Sequence, residues 1–253
     1  ININIFIIIF FQFLFTSEYV NYGGEIFKIS GDARICSMGG SNPVLFGSAG
    51  QLIHNPASIR VKNSKFISFT LQNHFSGLIK SNIFTTYIKQ NHRYNISLAI
   101  INRSIDNIPY TNDAFTLNGD IVTPINYNNI SYFNHTELAS VISLASNIKN
   151  HFFGVNFKNV IYSIYRENAI GIGLDIGYLF NKTNYFIGIN LKNFPLTEIK
   201  WSTNFSEKLI PSFQIGMAYK SNFMFLTTSI ENKINIIKYN NRYLTYNVGF
   251  EYY

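Results

Sequence analysis

The sequence predicts an all-β fold, an antiparallel transmembrane β-barrel of about ten strands that follows a short non-strand segment. First, large apolar residues alternate with small or polar residues over long segments of the chain. Second, 47% of the 253 residues are hydrophobic and 13% are charged, yet no apolar run approaches the roughly 20 residues that a membrane-spanning helix needs. Third, the small positions of the alternating segments are rich in glycine, which suits the crowded interior of a barrel.

The amino terminus is expected to be a signal peptide for export, covering residues 1–17. An apolar run from Ile5 to Phe15 is broken only by Gln12. This length is typical of the central region of a secretory signal and is too short to span a bilayer. A basic start is missing and the chain opens with Ile1, which predicts a truncated start. The alternative is that this run forms a first buried strand or helix.

Residues 18–64 are expected to form a plug-like segment before the barrel. They include Ala33, Arg34, Met38, Gly39 and Gly40, and then Asn55, Pro56 and Ala57. Small residues permit close backbone approach and tight turns. An Asn-Pro start is typical of a short helix that Asn55 caps and Pro56 opens. These features indicate a compact segment that packs against or into the barrel.

Residues 65–253 are expected to form the barrel. In the clearest segment, 169–180, one parity holds Ile170, Ile172, Leu174, Ile176, Tyr178 and Phe180, and the other holds Gly171, Gly173, Asp175 and Gly177. Because successive side chains of a strand point to opposite faces, this segment has one apolar face and one small, polar face. The same division recurs at 66–75, 82–90, 93–102, 131–146, 153–158, 185–192, 213–220, 222–231 and 244–252. Residues 104–130 and 195–208 interrupt it and are expected to be loops.

Two all-β architectures fit this alternation. In a soluble sandwich or small barrel the apolar face packs a core, whereas in a transmembrane barrel it contacts lipid. The strand length of about ten residues favours the membrane, because a tilted spanning strand needs that length. The charges also favour it: Asp175, Lys158, Lys192, Lys220 and Glu251 all fall on the polar parity. Outer-membrane lipid is therefore an expected partner, and the outer membrane of a Gram-negative bacterium the expected location.

The two motifs of the plug-like segment resemble those of the PorV/PorQ family of FadL-like outer-membrane proteins. In that family an Ala-Arg-x-x-x-Met-Gly-Gly stretch precedes an Asn-Pro-Ala element. Later stretches resemble the family in the same order, namely the strand around Asp175, the stretch that ends at Asn193, and the stretch that contains Pro211. The likeness extends over residues 25–253. The chain departs from the family just before Asn55, where acidic residues are usual, and at Ser58, where glycine is common.

The resemblance implies a barrel of about fourteen strands with an inserted amino-terminal segment. It also implies a part in type IX secretion, in which family members bind the carboxy-terminal signals of exported cargo proteins and pass the cargo to the cell surface. FadL relatives instead carry hydrophobic compounds through the barrel wall, so a channel for hydrophobic small molecules is the alternative function. A soluble exported binding protein is the third.

The end of the chain has two interpretations. Gly249-Phe250-Glu251-Tyr252 resembles a family strand that several further strands normally follow, which predicts that the chain is a fragment. Alternatively, Phe250, Tyr252 and Tyr253 form a terminal aromatic signal for barrel insertion and close a smaller barrel. We expect the first.

The sequence predicts that the protein is not an enzyme and has no metal site or cofactor. The five histidines are far apart, Cys36 is the only cysteine, and no Gly-x-Ser-x-Gly sequence is present. Asp175 is expected to form an ion pair with Lys158 or Lys192 rather than a carboxylate pair with Glu137. The net charge is +7, but the basic residues are scattered singly, so nucleic acid is not an expected partner.

Overall fold

The computed structural model describes residues 23–40, 42–60, 65–91, 93–118, 121–122, 124–195, 197–233 and 243–253. The predicted signal peptide, residues 1–17, lies outside these described residues. Within them, no helix has the length and apolar character needed to cross a membrane.

Strands make up most of the described chain. In chain order they are β1 (Ile67–His74), β2 (Ile79–Gln90), β3 (Tyr94–Tyr110), β4 (Leu117–Asn118), β5 (Ile121–Val122), β6 (Ser131–Ile148), β7 (His151–Ile164), β8 (Glu167–Lys182), β9 (Tyr185–Lys192), β10 (Thr197–Trp201), β11 (Ser206–Leu209), β12 (Ser212–Lys220), β13 (Met224–Lys233) and β14 (Tyr243–Tyr252). In the described ranges the helices are short: α1 (Ala33–Ser37), and 3-10 helices at Glu25–Lys28, Asn42–Val44, Ala49–Ile53, Pro56–Arg60, Phe75–Gly77 and Tyr127–Asn129.

Twelve strands form one antiparallel sheet, which confirms the predicted all-β fold class. Ten of them follow the path β1-β2-β3-β6-β7-β8-β9-β12-β13-β14, in which each strand pairs with the next. The strand β10 pairs with β8 and with β11, while β4 and β5 form a separate hairpin. Between the described strands β1 and β14 there is no pairing, so the sheet is not closed in this part of the chain.

The two faces of the sheet have the composition that the alternation predicts. On β8, Ile170 and Ile172 are 62% and 68% exposed on one face, whereas Asp175 is 1% exposed on the other. We call the face with the exposed apolar side chains the outer face, and the buried face with small and polar side chains the lumenal face. The outer face is thus suited to lipid, in agreement with the burial pattern of a transmembrane barrel.

The first predicted loop, 104–130, begins with seven residues that belong to a strand. The strand β3 continues to Tyr110 and pairs with β6, so that Tyr110 faces Ser131. The register of the two strands shifts between Ile105 and Ile108. Beyond this irregularity the residues no longer follow the simple alternation of apolar and polar side chains. Because the surrounding sequence is also polar, the alternation did not predict this part of the strand.

The second predicted loop, 195–208, also contains strands, since β10 and β11 form a hairpin there. Glu198 of β10 faces Ile172 of β8. The neighbouring strand β9 pairs with β8 only from Ile176 onward. Because unpaired backbone groups of a strand are costly, β10 completes the edge of β8 that β9 does not reach.

The two ends of the sheet differ in the length of their connections. The connections between β3 and β6 and between β9 and β12 are long and lie at one end, which we call the long-loop end and which also carries the short turns β1–β2 and β7–β8. At the opposite end, which we call the short-turn end, the connections β2–β3, β6–β7, β8–β9 and β12–β13 are all short. In outer-membrane barrels the long loops are extracellular and the short turns periplasmic.

Residues 23–40 and 42–60, which we call the plug, lie against the lumenal face. The plug contains α1, which Asp32 caps by accepting a hydrogen bond from the backbone N–H of Ile35 at 3.0 Å. Its apolar side chains Ile26, Val44, Leu45 and Leu52 are fully buried. They pack against lumenal side chains in two clusters, one around Ile26 and Leu52 and one around Val44 and Leu45. The lumen is therefore occupied by the chain's own amino-terminal segment.

Candidate functional site

The Asn-Pro-Ala element docks on the lumenal backbone of β8. The side-chain amide of Asn55 donates to the carbonyl oxygens of Pro43 at 2.6 Å and of Tyr178 at 3.4 Å. Its Oδ1 accepts from the backbone N–H of Ala57 at 3.0 Å, so Asn55 caps the 3-10 helix that Pro56 opens. The element is completely buried, and Asn55 thus links two parts of the plug to the barrel wall.

Lumenal glycines provide the space for this docking. A Cβ atom on Gly177 would lie 2.1 Å from Oδ1 of Asn55, and one on Gly154 would lie 2.4 Å from the carbonyl carbon of Pro56. Both distances are shorter than non-bonded atoms tolerate, so these close contacts with the plug require glycine at each position. The approach of the plug therefore explains Gly154 and Gly177, whereas Gly171 and Gly173 face residues of β10.

The Ala-Arg element connects the plug to β14. Ala33 is the exposed first residue of α1, and Arg34 extends from the same helix. The guanidinium of Arg34 donates to Glu251 from Nε at 2.9 Å and from Nη2 at 2.7 Å. It also donates from Nη1 to the carbonyl of Phe46 at 2.9 Å. The carboxylate raises the pKa of Arg34, chiefly through the hydrogen bonds, so the guanidinium stays charged.

The Met-Gly-Gly element contacts the same strand through its backbone. Met38 is buried, and its carbonyl oxygen lies 2.5 Å from the position that a Cβ of Gly249 would take. Gly39 has a φ of 61°, and a Cβ there would lie 2.3 Å from the carbonyl oxygen of Val248. Gly40 follows with its backbone beside the Asn247 side chain. A left-handed backbone and a close approach together require glycine at position 39.

Asp175 and Asn193, which come from two separate motifs, meet at one buried lysine. The Nζ of Lys158 lies 2.6 Å from Oδ1 of Asp175 and 2.7 Å from Oδ1 of Asn193. Asp175 also accepts from the backbone N–H of Asn193 at 2.9 Å. The side chains of Lys158 and Asp175 are 3% and 1% exposed. Of the two lysines proposed as partners of Asp175, the structure therefore selects Lys158.

Pro211 lies next to this cluster, at the start of β12. The side-chain amide of Asn193 donates to the carbonyl of the preceding residue, Ile210, at 3.5 Å. Asn193 also accepts from Oγ1 of Thr197 at 3.1 Å. One asparagine therefore joins the two ends of the long connection 193–211. The structure brings Asp175, Asn193 and Pro211 together, while the Ala-Arg and Met-Gly-Gly elements lie at β14.

Glu137 occupies a different part of the lumen from Asp175. It accepts from Arg103 at 3.3 Å and lies 2.8 Å from Nε2 of His135. The carboxylate pair of Glu137 and Asp175 that the sequence analysis weighed is therefore not formed.

Arg60 fastens the end of the plug and was not predicted from the sequence. Its guanidinium donates to the side chains of Asn147 at 2.6 Å and Asn95 at 2.8 Å, and to the carbonyl of Asn91 at 2.8 Å. Asn95 in turn donates to the carbonyl of Ile59 at 3.2 Å. The sequence places Asn95 on the lumenal parity of β3, which indicates that it faces the plug. The spacing of residues along the chain could not show that Arg60 is its partner.

A cavity of about 230 Å³ remains between the plug and the strands β7, β8, β9, β12 and β13. Its lining includes the polar and charged residues His54, Lys158, Asp175, Lys192, Asn193, Gln214 and Glu231. Its lining also includes Leu209 and Ile210, so it lies beneath the long connection 193–211. The lining is therefore mixed, because charged and amide groups lie beside apolar side chains such as Phe27 and Leu209.

His54 is a buried, neutral member of this lining. Burial, together with the positive charge of Lys192, lowers the pKa of His54 to about 3. Its backbone carbonyl accepts a hydrogen bond from the side chain of Asn190 on β9. The imidazole is therefore an uncharged group with one donor and one acceptor nitrogen. Among the described residues, no group of three or more His, Cys, Asp or Glu side chains is placed to hold a metal ion.

The comparisons with known proteins give a fold and no family. No protein-family model and no curated protein matches the sequence. The structure is similar to OmpT expressed in the outer membrane of Vibrio cholerae, with a TM-score of 0.50 and 9% identity over 85% of this chain and 72% of that chain. In-vitro folded OmpT of the same organism gives TM-scores of 0.49 and, in its trimer form, 0.47, each at 8% identity.

The first of these likenesses concerns the fold, because its sequence identity is so low. The prediction that the chain is not an enzyme was wrong as an exclusion: the first of these solved structures is of OmpT, and a barrel fold of this type gives no ground for excluding catalysis. The antiparallel sheet, its outward apolar face and the likeness to a solved outer-membrane protein agree with one another. The chain has the fold of an outer-membrane β-barrel protein.

Proposed function

We propose that the chain is an outer-membrane barrel of the PorV/PorQ type that binds exported proteins at its long-loop end, as a component of type IX secretion or surface attachment. The observation that supports this role is an exposed aromatic surface at the long-loop end of a lumen that the plug fills. The sequence motifs of the plug and of β14 add the resemblance to that family.

This surface consists of one aliphatic residue, Ile125, and four aromatic residues, Tyr127, Tyr132, Tyr165 and Phe205, which together we call the loop-end residues. Their exposed fractions are 52%, 74%, 66%, 43% and 62% in that order. Tyr165 is held by stacking on Tyr110, with ring centroids 4.7 Å apart. Exposed aromatic side chains on a rigid base are typical of protein-binding surfaces, because they bury much apolar area at small entropic cost.

The filled lumen favours cargo binding over uptake of hydrophobic molecules. A hydrophobic channel needs an open, continuous apolar passage, whereas the plug packs its apolar side chains against the described lumenal wall. Charged and amide groups lie among the residues that line the remaining cavity. The Lys158–Asp175 pair would by itself oppose the passage of an apolar molecule, because separating the two side chains would leave each buried charge unpaired.

The experiment compares two ends of the same barrel. The full chain is folded in detergent, and its affinity for the carboxy-terminal signal domain of a type IX cargo protein is measured by fluorescence anisotropy. The variants Tyr127→Ser and Phe205→Ser each remove a loop-end aromatic group and are expected to weaken binding by tenfold or more. Phe223→Ser is the matched control, because Phe223 is 60% exposed in a turn at the short-turn end and is expected to have no effect.

Two results would contradict the proposed function. One is that the cargo domain does not bind the wild-type chain. The other is that Phe223→Ser weakens binding as much as Phe205→Ser does, because the affinity would then follow general apolar exposure. Uptake of a fatty acid into vesicles that contain the wild-type chain would instead support the hydrophobic-channel alternative.

A further inference from the structure

Two charges of opposite sign face the cavity without a partner among the described residues. Lys192 on β9 and Glu231 on β13 both line it, and neither forms an ion pair or a hydrogen bond with another described side chain. The two buried ions of the lining, Lys158 and Asp175, neutralise each other at 2.6 Å, whereas Lys192 and Glu231 are half-buried. Within the described part of the chain, no contact neutralises the charges of Lys192 and Glu231, and both residues line the space that a ligand would occupy.

The register of the strands separates these two charges. Lys192 faces Ser212 on β12, and Glu231 faces Gln214 on the same strand. One strand thus lies between them, which places their backbones about 10 Å apart or more, given the spacing of about 4.8 Å between neighbouring strands. A ligand that reaches both must carry a negative group at one end and a positive group at the other.

Two buried neutral side chains of the cavity lining also carry polar atoms without a hydrogen-bond partner among the described residues. The Oε1 of Gln214 is buried, lines the cavity and accepts no hydrogen bond from the described residues. Both ring nitrogens of His54 are buried without a well-oriented partner in the same part of the chain. Gln214 and His54 are 4% and 1% exposed. Unsatisfied buried polar atoms are costly, and a polar ligand would satisfy them.

The cavity has room for such a ligand and a route to solvent. Its volume of about 230 Å³ is larger than the engineered cavity of about 150 Å³ that admits benzene. Lys28 lines one wall with a side chain that is 49% exposed, so the space reaches the surface of the plug there.

We propose that this cavity binds a small zwitterion of the amino-acid or short-peptide class. The Lys192 ammonium binds the ligand carboxylate, the Glu231 carboxylate binds the ligand ammonium, and Gln214 accepts a further hydrogen bond from the ligand. A backbone separation of about two strand spacings between Lys192 and Glu231 suits a dipeptide better than a single α-amino acid.

The test uses three dipeptide probes that differ only in their terminal charges. Glycylglycine carries both charges, N-acetylglycylglycine lacks the cation, and glycylglycinamide lacks the anion. Their affinities for the full folded chain in detergent are measured by isothermal titration calorimetry. Glycylglycine is expected to bind at least tenfold more tightly than either relative.

Two substitutions assign each charge to its residue. Lys192→Met is expected to lower the affinity for glycylglycine at least tenfold and to abolish its preference over the amide, while retaining the preference over the acetylated peptide. Glu231→Gln is expected to lower the affinity for glycylglycine at least tenfold and to abolish its preference over the acetylated peptide, while retaining the preference over the amide. Lys149→Met, which removes an exposed lysine in a turn at the short-turn end, is the control and leaves all three affinities unchanged.

The wild-type measurement decides the matter even where a variant does not fold. Equal binding of the three probes, or no binding of glycylglycine, would overturn the assignment, as would an effect of Lys149→Met equal to that of Lys192→Met. The cavity lies inside the lumen and the loop-end residues lie outside it. Loss of cargo binding and loss of dipeptide binding are therefore distinguishable.

Discussion

Arg34 and Glu251 join the plug to the last described strand across 217 residues of sequence. The guanidinium contacts both carboxylate oxygens, with Nη2 at 2.7 Å from Oε2 and Nε at 2.9 Å from Oε1. The two side chains are 28% and 25% exposed, so water screens the pair only in part. This contact holds α1 against β14, at the edge where the described sheet is not closed.

Arg34→Ala is expected to lower the free energy of unfolding by about 1–2 kcal/mol, because it removes the ion pair with Glu251 and the hydrogen bond to the Phe46 carbonyl from a partly buried site. Urea unfolding in detergent measures the change, and a double-mutant cycle with Glu251→Gln isolates the pair. Lys80→Ala, which breaks the more exposed Lys80–Asp106 pair, is the control and is expected to cost less than about 0.5 kcal/mol. A coupling energy near zero between Arg34 and Glu251 would refute the anchoring role.

Gly177→Ala is expected to displace the plug. The added Cβ would lie 2.1 Å from Oδ1 of Asn55, and the strain should destabilise the protein by about 1–3 kcal/mol. Limited proteolysis of the plug measures its release from the lumen. Asn55→Ala removes the overlapping amide, so the double variant should lose less stability than the sum of the two single variants. Additive losses would show that Gly177 and Asn55 do not meet.

An arginine on the outer face is expected to destabilise the folded chain, and to do so more at the middle of the bilayer than near its surface. Met217, near the middle of β12, is 58% exposed on that face. Met217→Arg should therefore cost about 2–4 kcal/mol when the chain folds into phospholipid vesicles, whereas Tyr252→Arg at the end of β14 should cost about 0–1 kcal/mol. Tryptophan fluorescence of Trp201 during denaturant titration follows the folding. Equal small costs at the two positions would exclude contact of β12 with lipid.

The buried imidazole of His54 predicts a pH dependence of stability. Its pKa is about 3 in the folded chain and near the ordinary 6.5 when unfolded. The unfolded chain therefore binds a proton below pH 6.5 that the folded chain does not bind. Stability from this group is complete above pH 6.5 and is lost as the pH falls, by about 1.4 kcal/mol per pH unit. Urea unfolding at pH 6 and pH 5 measures the slope, and His54→Gln should reduce it by that amount. An unchanged slope in the variant would show that His54 ionises when folded.

The alternation of side chains was enough to place most strands and both faces of the sheet. On β8 the exposure of Ile170 and Ile172 and the burial of Asp175 follow directly from their parity, because a strand has a period of two. The hairpin of β10 and β11 escaped the same reasoning. Five and four residues are too few to show a period, and their pairing depends on the length of β9, which is a property of the assembled sheet.

The sequence limited which lumenal side chains could pair with one another, but it did not determine which pairs form. Parity put Asp175, Lys158 and Lys192 on the same face, so two lysines were available to one carboxylate. The stagger of β7 against β8 brings Lys158 to 2.6 Å and leaves Lys192 facing the cavity. Arg60 and Asn95 likewise meet only because the plug turns back toward the short-turn end.

The sequence by itself therefore determined the fold class, the two faces and the need for small residues on one of them, because strand periodicity is a local property of the chain. The tertiary structure alone decided which charges neutralise each other, how the plug fills the lumen and where a polar cavity remains. Those features depend on register and on contacts between residues far apart in sequence, such as Arg34 and Glu251, and no local pattern encodes them.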